Sequence, residues 1–143
     1  MRAAVFGAAG YGGIELVRLL QGHPEVELVY LADPAFEGKR VPEVFPHLTG
    51  SVELHFEAPS VPRAVECADV IFFCLHPGIA MDMVAEALDA GRVVLDFSAD
   101  FRLKDRERYE AYYETHRQPA LLSKAVYGLP ELHRKALANT RLV

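Results

Sequence analysis

The sequence predicts an α/β domain built on a doubly wound, mostly parallel sheet with helices on both faces. Short apolar runs lack the polar alternation of half-exposed strands, which is typical of parallel strands covered on both sides. Helical patterns lie between these runs, and a glycine-rich segment directly follows the first one. The 143 residues are enough for one domain with its own core.

Four of the apolar runs are predicted to be strands, at residues 3–6, 26–31, 70–75 and 93–97. Amphipathic helices are predicted at residues 12–21 and 79–90, where apolar side chains recur at helical spacing. Prolines and glycines interrupt residues 34–62, which we interpret as a long surface excursion with one short strand at 52–56.

The last third of the chain returns to helical patterns. Residues 104–117 are predicted to form a helix in which Tyr109, Tyr112, Tyr113 and His116 share one face as packing residues. A shorter helical stretch runs to Ala138. Residues 141–143 are interpreted as the beginning of a further strand.

The composition excludes several kinds of partner and site. The net charge is −5 and the basic residues are scattered, so nucleic acid is not an expected partner. No apolar run approaches the roughly 18 residues of a membrane span and no signal peptide is visible, so we expect a cytoplasmic protein without a membrane partner. Cys67 and Cys74 lack metal-ligand spacing and are interpreted as buried apolar residues, so no metal site is expected.

A glycine-rich turn is the strongest functional signal. Gly7, Gly10 and Gly13 form a GxxGxxG pattern between the first strand and an apolar helix. Glycine lets the backbone approach a pyrophosphate, and the free amides of the helix N-terminus bind its charge, whereas Gly13 is expected to serve helix–sheet packing. No GK[ST] follows, which excludes a P-loop, and glycines that merely close the turn are the alternative. The pattern predicts a Rossmann-like dinucleotide site with these candidate residues: Gly7, Ala9, Gly10, Tyr11, Gly12 and Gly13.

Two sets of charges after the second strand bear on the choice of cofactor. Asp33 lies twenty residues after Gly13, where a carboxylate accepts hydrogen bonds from the adenosine ribose of NAD. Lys39 and Arg40 follow in the same loop and are candidates for neutralising the 2′-phosphate of NADP, or are simply solvated charges. These residues leave the preference open.

The third predicted strand leads into His76, Pro77 and Gly78, where a Pro-Gly turn lets the backbone lie close to the nicotinamide half of a dinucleotide. His76 is either a ligand contact or an ordinary loop histidine. These three residues complete the candidate cofactor contacts.

The fourth predicted strand leads into Ser98, Asp100 and Arg102, which we take as candidate substrate-binding residues. The Arg102 guanidinium suits phosphate or carboxylate, and the neighbouring acids could orient it. The alternative is that Ser98 and Asp100 cap the following helix.

Several segments together resemble the N-acetyl-gamma-glutamyl-phosphate reductases of arginine biosynthesis, within the semialdehyde dehydrogenase group. The resemblance covers essentially the whole chain. Its segments are residues 7–16 (GAAGYGGIEL), 23–25 (HPE), 68–70 (ADV), 95–102 (LDFSADFR) and 127–132 (YGLPEL).

The resemblance implies a reversible, NADP-dependent reduction of N-acetyl-glutamyl 5-phosphate to N-acetyl-glutamate 5-semialdehyde and phosphate, through a thioester on a cysteine. In the family this cysteine lies in an Asn-Pro-Gly-Cys-Tyr stretch beyond the position of Val143, and neither cysteine here matches it. No catalytic residue is therefore assigned. The resemblance makes Arg102 a candidate contact for the substrate phosphate. The chain departs from the family pattern at Asp33, commonly a small hydroxyl residue, and at residues 76–77, where histidine and proline are exchanged.

Residues 1–143 are thus expected to be the dinucleotide-binding domain of such a reductase, truncated before the nucleophile and the substrate domain and inactive alone. We expect NADP as cofactor, with NAD as the alternative, an acyl-phosphate small molecule as substrate, and a homo-oligomer at full length. Two other functions stay open: the related aminoadipyl-phosphate reductase of lysine biosynthesis, and a non-catalytic dinucleotide-binding sensor.

Overall fold

The computed structural model describes residues 1–143 and contains one five-stranded sheet. Its strands are β1 (Arg2–Phe6), β2 (Glu27–Ala32), β3 (Phe56–Glu57), β4 (Val70–Phe73) and β5 (Val93–Asp96). The four main strands lie where the apolar runs predicted them, with ends shifted by one or two residues. The short fifth strand forms at Phe56–Glu57 instead of residues 52–56.

All strand pairs in the sheet are parallel, in the order β3-β2-β1-β4-β5. The chain starts in the middle at β1, builds the sheet outward through β2 and β3, and then crosses back to place β4 on the other side of β1. This order is that of a doubly wound dinucleotide-binding fold, which confirms the predicted fold class. The reversal of strand order between β1 and β4 opens a crevice at the carboxyl ends of these two strands.

The helices cover both faces of the sheet. They are α1 (Tyr11–Gln21), α2 (Val41–Val44), α3 (Val61–Cys67), α4 (Met81–Asp89), α5 (Arg106–Glu110) and α6 (Pro130–Leu137). Alternate residues of β1 enter two separate cores: Val5 packs in one with α1, and Phe6 in the other with α3 and α4. Burial on both faces explains why the strands lack polar alternation.

Residues 34–62 are more than a surface excursion, and this part of the prediction was wrong. Val41, Leu48 and Val52 are buried in the same core as α1, together with Phe56 of β3. Because β3 has only two residues, the short α2 and a 3-10 turn at Pro46–Leu48 supply the apolar cover that a longer edge strand would give.

The helix predicted at residues 104–117 was also too long. Helix α5 ends at Glu110, and the carboxylate of Glu110 accepts a hydrogen bond from the backbone N–H of His116 at 2.9 Å, which turns the chain back. This turn buries His116 beside Tyr109 but leaves Tyr112 and Tyr113 exposed. The four aromatic side chains therefore do not share one buried face.

The last residues extend the sheet beyond β5, as the sequence predicted. Leu142 forms a parallel bridge with Val94, and the backbone N–H of Asp96 donates to the carbonyl oxygen of Val143 at 2.8 Å. None of the helices has both the length and the apolar character needed to traverse a bilayer.

Candidate functional site

The turn after β1 is built around a close approach to β4. Gly7 has φ +70°, and a Cβ on it would lie 2.4 Å from the carbonyl oxygen of Cys74. A side chain fits neither this conformation nor this space, so only glycine allows β1 and β4 to run side by side into the crevice.

The N-terminus of α1 presents unpaired backbone donors at the same place. The first helical bond is donated by Ile14 to Gly10, at 2.8 Å, so the N–H groups of Tyr11, Gly12 and Gly13 have no partner within the chain. No side chain caps this end, and a Cβ at Gly12 would meet nothing within 4 Å. An open, glycine-lined helix N-terminus fits a pyrophosphate, which needs both the donors and the close approach.

Gly13 has the packing role expected of it. A Cβ at Gly13 would lie 2.0 Å from the carbonyl oxygen of Gly7, and the residue is buried. The absence of a side chain therefore seats the first turn of α1 directly against the turn that follows β1.

Asp33 is held against the glycine turn from the end of β2. One carboxylate oxygen accepts a hydrogen bond from Ala9 N–H at 3.1 Å, and the other accepts one from Ala35 N–H at 3.0 Å. These two bonds fix the carboxylate at the carboxyl edge of the sheet beside the pyrophosphate turn. The sequence predicted the position of Asp33 but not this bond to Ala9.

The two cations of the same loop have other contacts. Arg40 forms an ion pair with Glu53, and the Lys39 ammonium lies 5.7 Å from the centre of the Phe36 ring. Both side chains are exposed, so their assignment to the cofactor stays a prediction.

A buried carboxylate holds the turn after β4 in place. Both oxygens of Asp100 accept the N–H of Gly78, at 2.9 Å each, and one of them also accepts the Tyr109 hydroxyl at 2.7 Å. His76 and Pro77 are exposed at the top of this turn. The turn proposed to lie by the nicotinamide is therefore held in place through Gly78, and its exposed residues are accessible to a ligand.

His116 completes this buried group. Its Nδ1 accepts from Gln118 N–H at 3.1 Å, so the proton is on Nε2, which donates to the carbonyl oxygen of Asp100 at 2.7 Å. The sequence treated Tyr109 and His116 as packing residues and Asp100 as a substrate contact or a cap. In the structure all three hold the turn after β4 in place, and the role of Asp100 toward the substrate stays a prediction.

A cavity of about 200 Å³ lies at the end of β5. Two of the motifs that carry the resemblance meet there: Asp96 at the end of β5 with Ser98 and Arg102 of the following loop, and Tyr127 with Gly128 from the other motif. The Arg102 guanidinium donates to the carbonyl oxygen of Ser98 at 3.2 Å and is otherwise exposed. Arg102 is thus a free cation at the mouth of a partly apolar cavity.

Asp96, one of the acids that the sequence offered to orient Arg102, is a titratable group in this cavity. Burial raises the pKa of its carboxyl to about 6, although hydrogen bonds from Ser98 oppose the shift. The Ser98 hydroxyl donates to Asp96 at 2.6 Å and accepts from Asp100 N–H at 3.0 Å. Ser98 therefore lies in a hydrogen-bonded loop framework at the cavity wall.

Cys74 is not suited to nucleophilic chemistry. Both cysteines are half-buried and unpaired by disulfide. Burial raises the pKa of the Cys74 thiol to about 12, which keeps it protonated at neutral pH. No cluster of metal-ligating side chains occurs in the structure.

Residues 2–140 match the family model described as semialdehyde dehydrogenase, NAD binding domain. The whole chain is 47% identical to an N-acetyl-gamma-glutamyl-phosphate reductase of Syntrophobacter fumaroxidans and covers 42% of that relative. It is 46% identical to the reductase of the same name from Geotalea daltonii, again over the whole chain and 41% of the relative.

Solved structures show the same fold. An aspartate semialdehyde dehydrogenase II of Vibrio cholerae, complexed with ASA, superposes with a TM-score of 0.69 at 19% identity, over 99% of this chain and 40% of the other. The Candida albicans aspartate semialdehyde dehydrogenase with NADP gives a TM-score of 0.57 at 25% identity, over 71% of this chain and 30% of the other.

Proposed function

The chain belongs to the semialdehyde dehydrogenase NAD binding domain family, and we propose that it is the cofactor-binding, N-terminal part of an N-acetyl-gamma-glutamyl-phosphate reductase. The observation that carries the proposal is the 47% identity to one such reductase along the entire chain. The chain spans about two fifths of the length of these relatives. The proposal therefore assigns the cysteine nucleophile and the substrate domain to residues outside 1–143.

In this proposal the cofactor binds at the carboxyl ends of β1 and β4. The free N–H groups of Tyr11, Gly12 and Gly13 would hold the pyrophosphate, and Gly10 leaves room for it. A bound nicotinamide cofactor supplies hydride to an acyl group or accepts it from an aldehyde. The turn at residues 76–78, fixed by Asp100, would keep the nicotinamide side in place.

Substrate binding is the task proposed for the cavity at the end of β5. Arg102 is exposed at its mouth and can form two parallel hydrogen bonds to a phosphate. Ser98 is bonded to Asp96 and Asp100, so it would shape the loop that carries Arg102. Since the thiol of Cys74 is protonated at neutral pH, the chain by itself is expected to bind cofactor without turnover.

Calorimetric titration of the 143-residue chain with NADPH and with NADH tests the cofactor role. The Gly10→Val variant should fold, because the glycine has φ −67° and its Cβ would lie 3.4 Å from the nearest atom, the Gly7 carbonyl oxygen. We expect this variant to lose binding, since the side chain would fill the pyrophosphate cradle. Gly22→Val, at the other end of α1, is the control and should bind normally. A folded chain that binds neither dinucleotide would overturn the proposal.

The reductase activity is tested with a chimera that joins residues 1–143 to the remaining residues of the Syntrophobacter fumaroxidans relative. The chimera should reduce N-acetyl-glutamyl 5-phosphate and restore growth of a strain lacking this reductase without arginine. A chimera that is folded and binds cofactor but reduces only an aminoadipyl phosphate would contradict the proposed substrate. The expected homo-oligomeric state and cytoplasmic location stay predictions.

A further inference from the structure

The adenosine end of the proposed cofactor site carries a fixed negative charge. Asp33 follows β2 directly, at the carboxyl edge where an acidic side chain meets the adenosine ribose in dinucleotide-binding folds. Its bonds to Ala9 and Ala35 use one lone pair on each oxygen. A carboxylate has about four acceptor positions, so the group can still accept hydrogen bonds from ribose hydroxyls.

This carboxylate cannot easily move away from a ligand. Ala9 belongs to the turn that would hold the pyrophosphate, and the 3.1 Å bond from Ala9 N–H joins Asp33 to that turn. A ligand whose pyrophosphate lies on α1 would therefore find the charge at a fixed place. Rotation of the side chain would leave the part-buried Ala9 N–H without its partner, which costs free energy.

The cations that follow Asp33 in the chain have other contacts. Residue 34 is a proline, and the next cations, Lys39 and Arg40, lie over Phe36 and against Glu53. Arg63 lies 3.9 Å from Glu57. From Asp33 to Arg63 the chain has five carboxylates against three cations. A 2′-phosphate would thus enter a negatively charged surrounding, whereas a 2′-hydroxyl would gain an acceptor.

We infer that Asp33 makes this domain select a dinucleotide with a free adenosine 2′-hydroxyl, NAD(H), over one with a 2′-phosphate, NADP(H). The inference rests on the proposed cofactor binding and chooses between the two cofactors that the sequence leaves open. Two charges of the same sign at close range disfavour the phosphate, and the ribose hydroxyls of NAD(H) donate to the carboxylate.

The test is calorimetric titration of the 143-residue chain with NADH and NADPH at 50 and 500 mM salt. We expect NADH to bind at least tenfold more tightly at low salt, and the ratio to shrink at high salt because ions screen the repulsion. Equal binding of the two, or tighter binding of NADPH, would overturn the inference while leaving the proposed cofactor role intact. Absence of binding by the folded chain would overturn both.

Two substitutions test whether Asp33 itself sets the preference for NADH over NADPH. Asp33→Ser should bring the NADH to NADPH ratio of affinities close to one, because it removes the charge and leaves a hydroxyl that suits either ligand. Glu37→Gln removes the same charge from an exposed position four residues further on and should leave the ratio within twofold of the parent. Thermal unfolding of each variant reports whether the loop stays folded. A ratio that does not change in folded Asp33→Ser, or that changes equally in Glu37→Gln, would contradict the inference.

Discussion

The carboxylate of Asp100 accepts the backbone N–H of Gly78 with both oxygens at 2.9 Å, and this bond joins the loop after β5 to the turn after β4. The two residues are 22 positions apart, and both are buried. Gly78 has φ +86°, and a Cβ on it would overlap the Glu114 carboxylate, 1.8 Å from one of its oxygens. The proposed cofactor and substrate loops are thus mechanically connected.

Loss of the Asp100 side chain should destabilise the domain strongly. Asp100→Ala leaves the Gly78 N–H and the Tyr109 hydroxyl buried without an acceptor, and we expect a loss of about 2–4 kcal/mol in the free energy of unfolding. Tyr109→Phe removes one of these bonds and should cost about 1–2 kcal/mol. Urea denaturation measures both. Tyr112→Phe, at an exposed ring, is the control, and a loss there as large as in Tyr109→Phe would refute the role of the buried hydroxyl.

Adjacent glycines of α1 should respond in opposite ways to alanine. Gly13→Ala places a Cβ 2.0 Å from the Gly7 carbonyl oxygen, and we expect a loss of about 3 kcal/mol or more. Gly12→Ala points into open space and should be neutral or stabilising by up to about 1 kcal/mol, because alanine favours the helix. Thermal unfolding of the two variants is the measurement. Similar melting temperatures would mean that α1 is not seated against the β1 turn as described.

Asp96 should make stability depend on pH. Burial raises the pKa of the folded-state carboxyl to about 6, above its unfolded value of about 3.9, so the folded state holds the proton more tightly. This contribution is fully present below about pH 4 and is lost as the pH rises through about 6, with a total of about 3 kcal/mol.

The measurement for Asp96 is urea denaturation of the parent and of Asp96→Asn between pH 4.5 and pH 7.5. The stability of the parent relative to the variant should fall across this range. Asp89→Asn, at an exposed carboxylate, serves as the control and should run parallel to the parent. A parent curve parallel to that of Asp96→Asn would show that the carboxyl does not titrate in this range.

Arg102→Lys should weaken phosphate binding by the chimera that joins residues 1–143 to the rest of the Syntrophobacter fumaroxidans relative. Lysine keeps the charge but loses the planar fork, and we expect the KM for phosphate in the reverse reaction to rise about tenfold with little change in the KM for cofactor. Arg106→Lys, on an exposed residue paired with Glu110 in the same region, should leave both KM values unchanged. Equal effects of the two substitutions would argue against a specific role for Arg102.

The glycine turn and the strands were predictable because the signals are local. Buried parallel strands require continuous apolar residues, and the tight turn after β1 requires glycine at Gly7 and Gly13, so both features are visible in a few consecutive letters. Asp33, directly after β2, and Arg102, in the loop after β5, were placed correctly for the same reason. Their roles toward ligands stay predictions.

The end of α5 and the interior of the excursion were not predictable in this way. Residues 104–117 do have helical periodicity. The chain nevertheless leaves the helix after Glu110, because His116 Nε2 bonds to the Asp100 carbonyl oxygen and the His116 N–H bonds to the Glu110 carboxylate. Val41, Leu48 and Val52 are buried only because β3 is too short to cover its own side of the core.

The sequence by itself determined the parallel doubly wound sheet, the pyrophosphate turn and the positions at which polar residues leave the strands, because each depends on backbone conformation or on periodicity over a few residues. Only the tertiary structure decided which polar side chains hold the loops in place and which stay accessible to a ligand. Asp100 faces inward to hold Gly78, Asp33 is fixed by Ala9, and Asp96 lies in a cavity with Arg102. Hydrogen bonds and burial of this kind join residues far apart in the chain, and no local pattern specifies them.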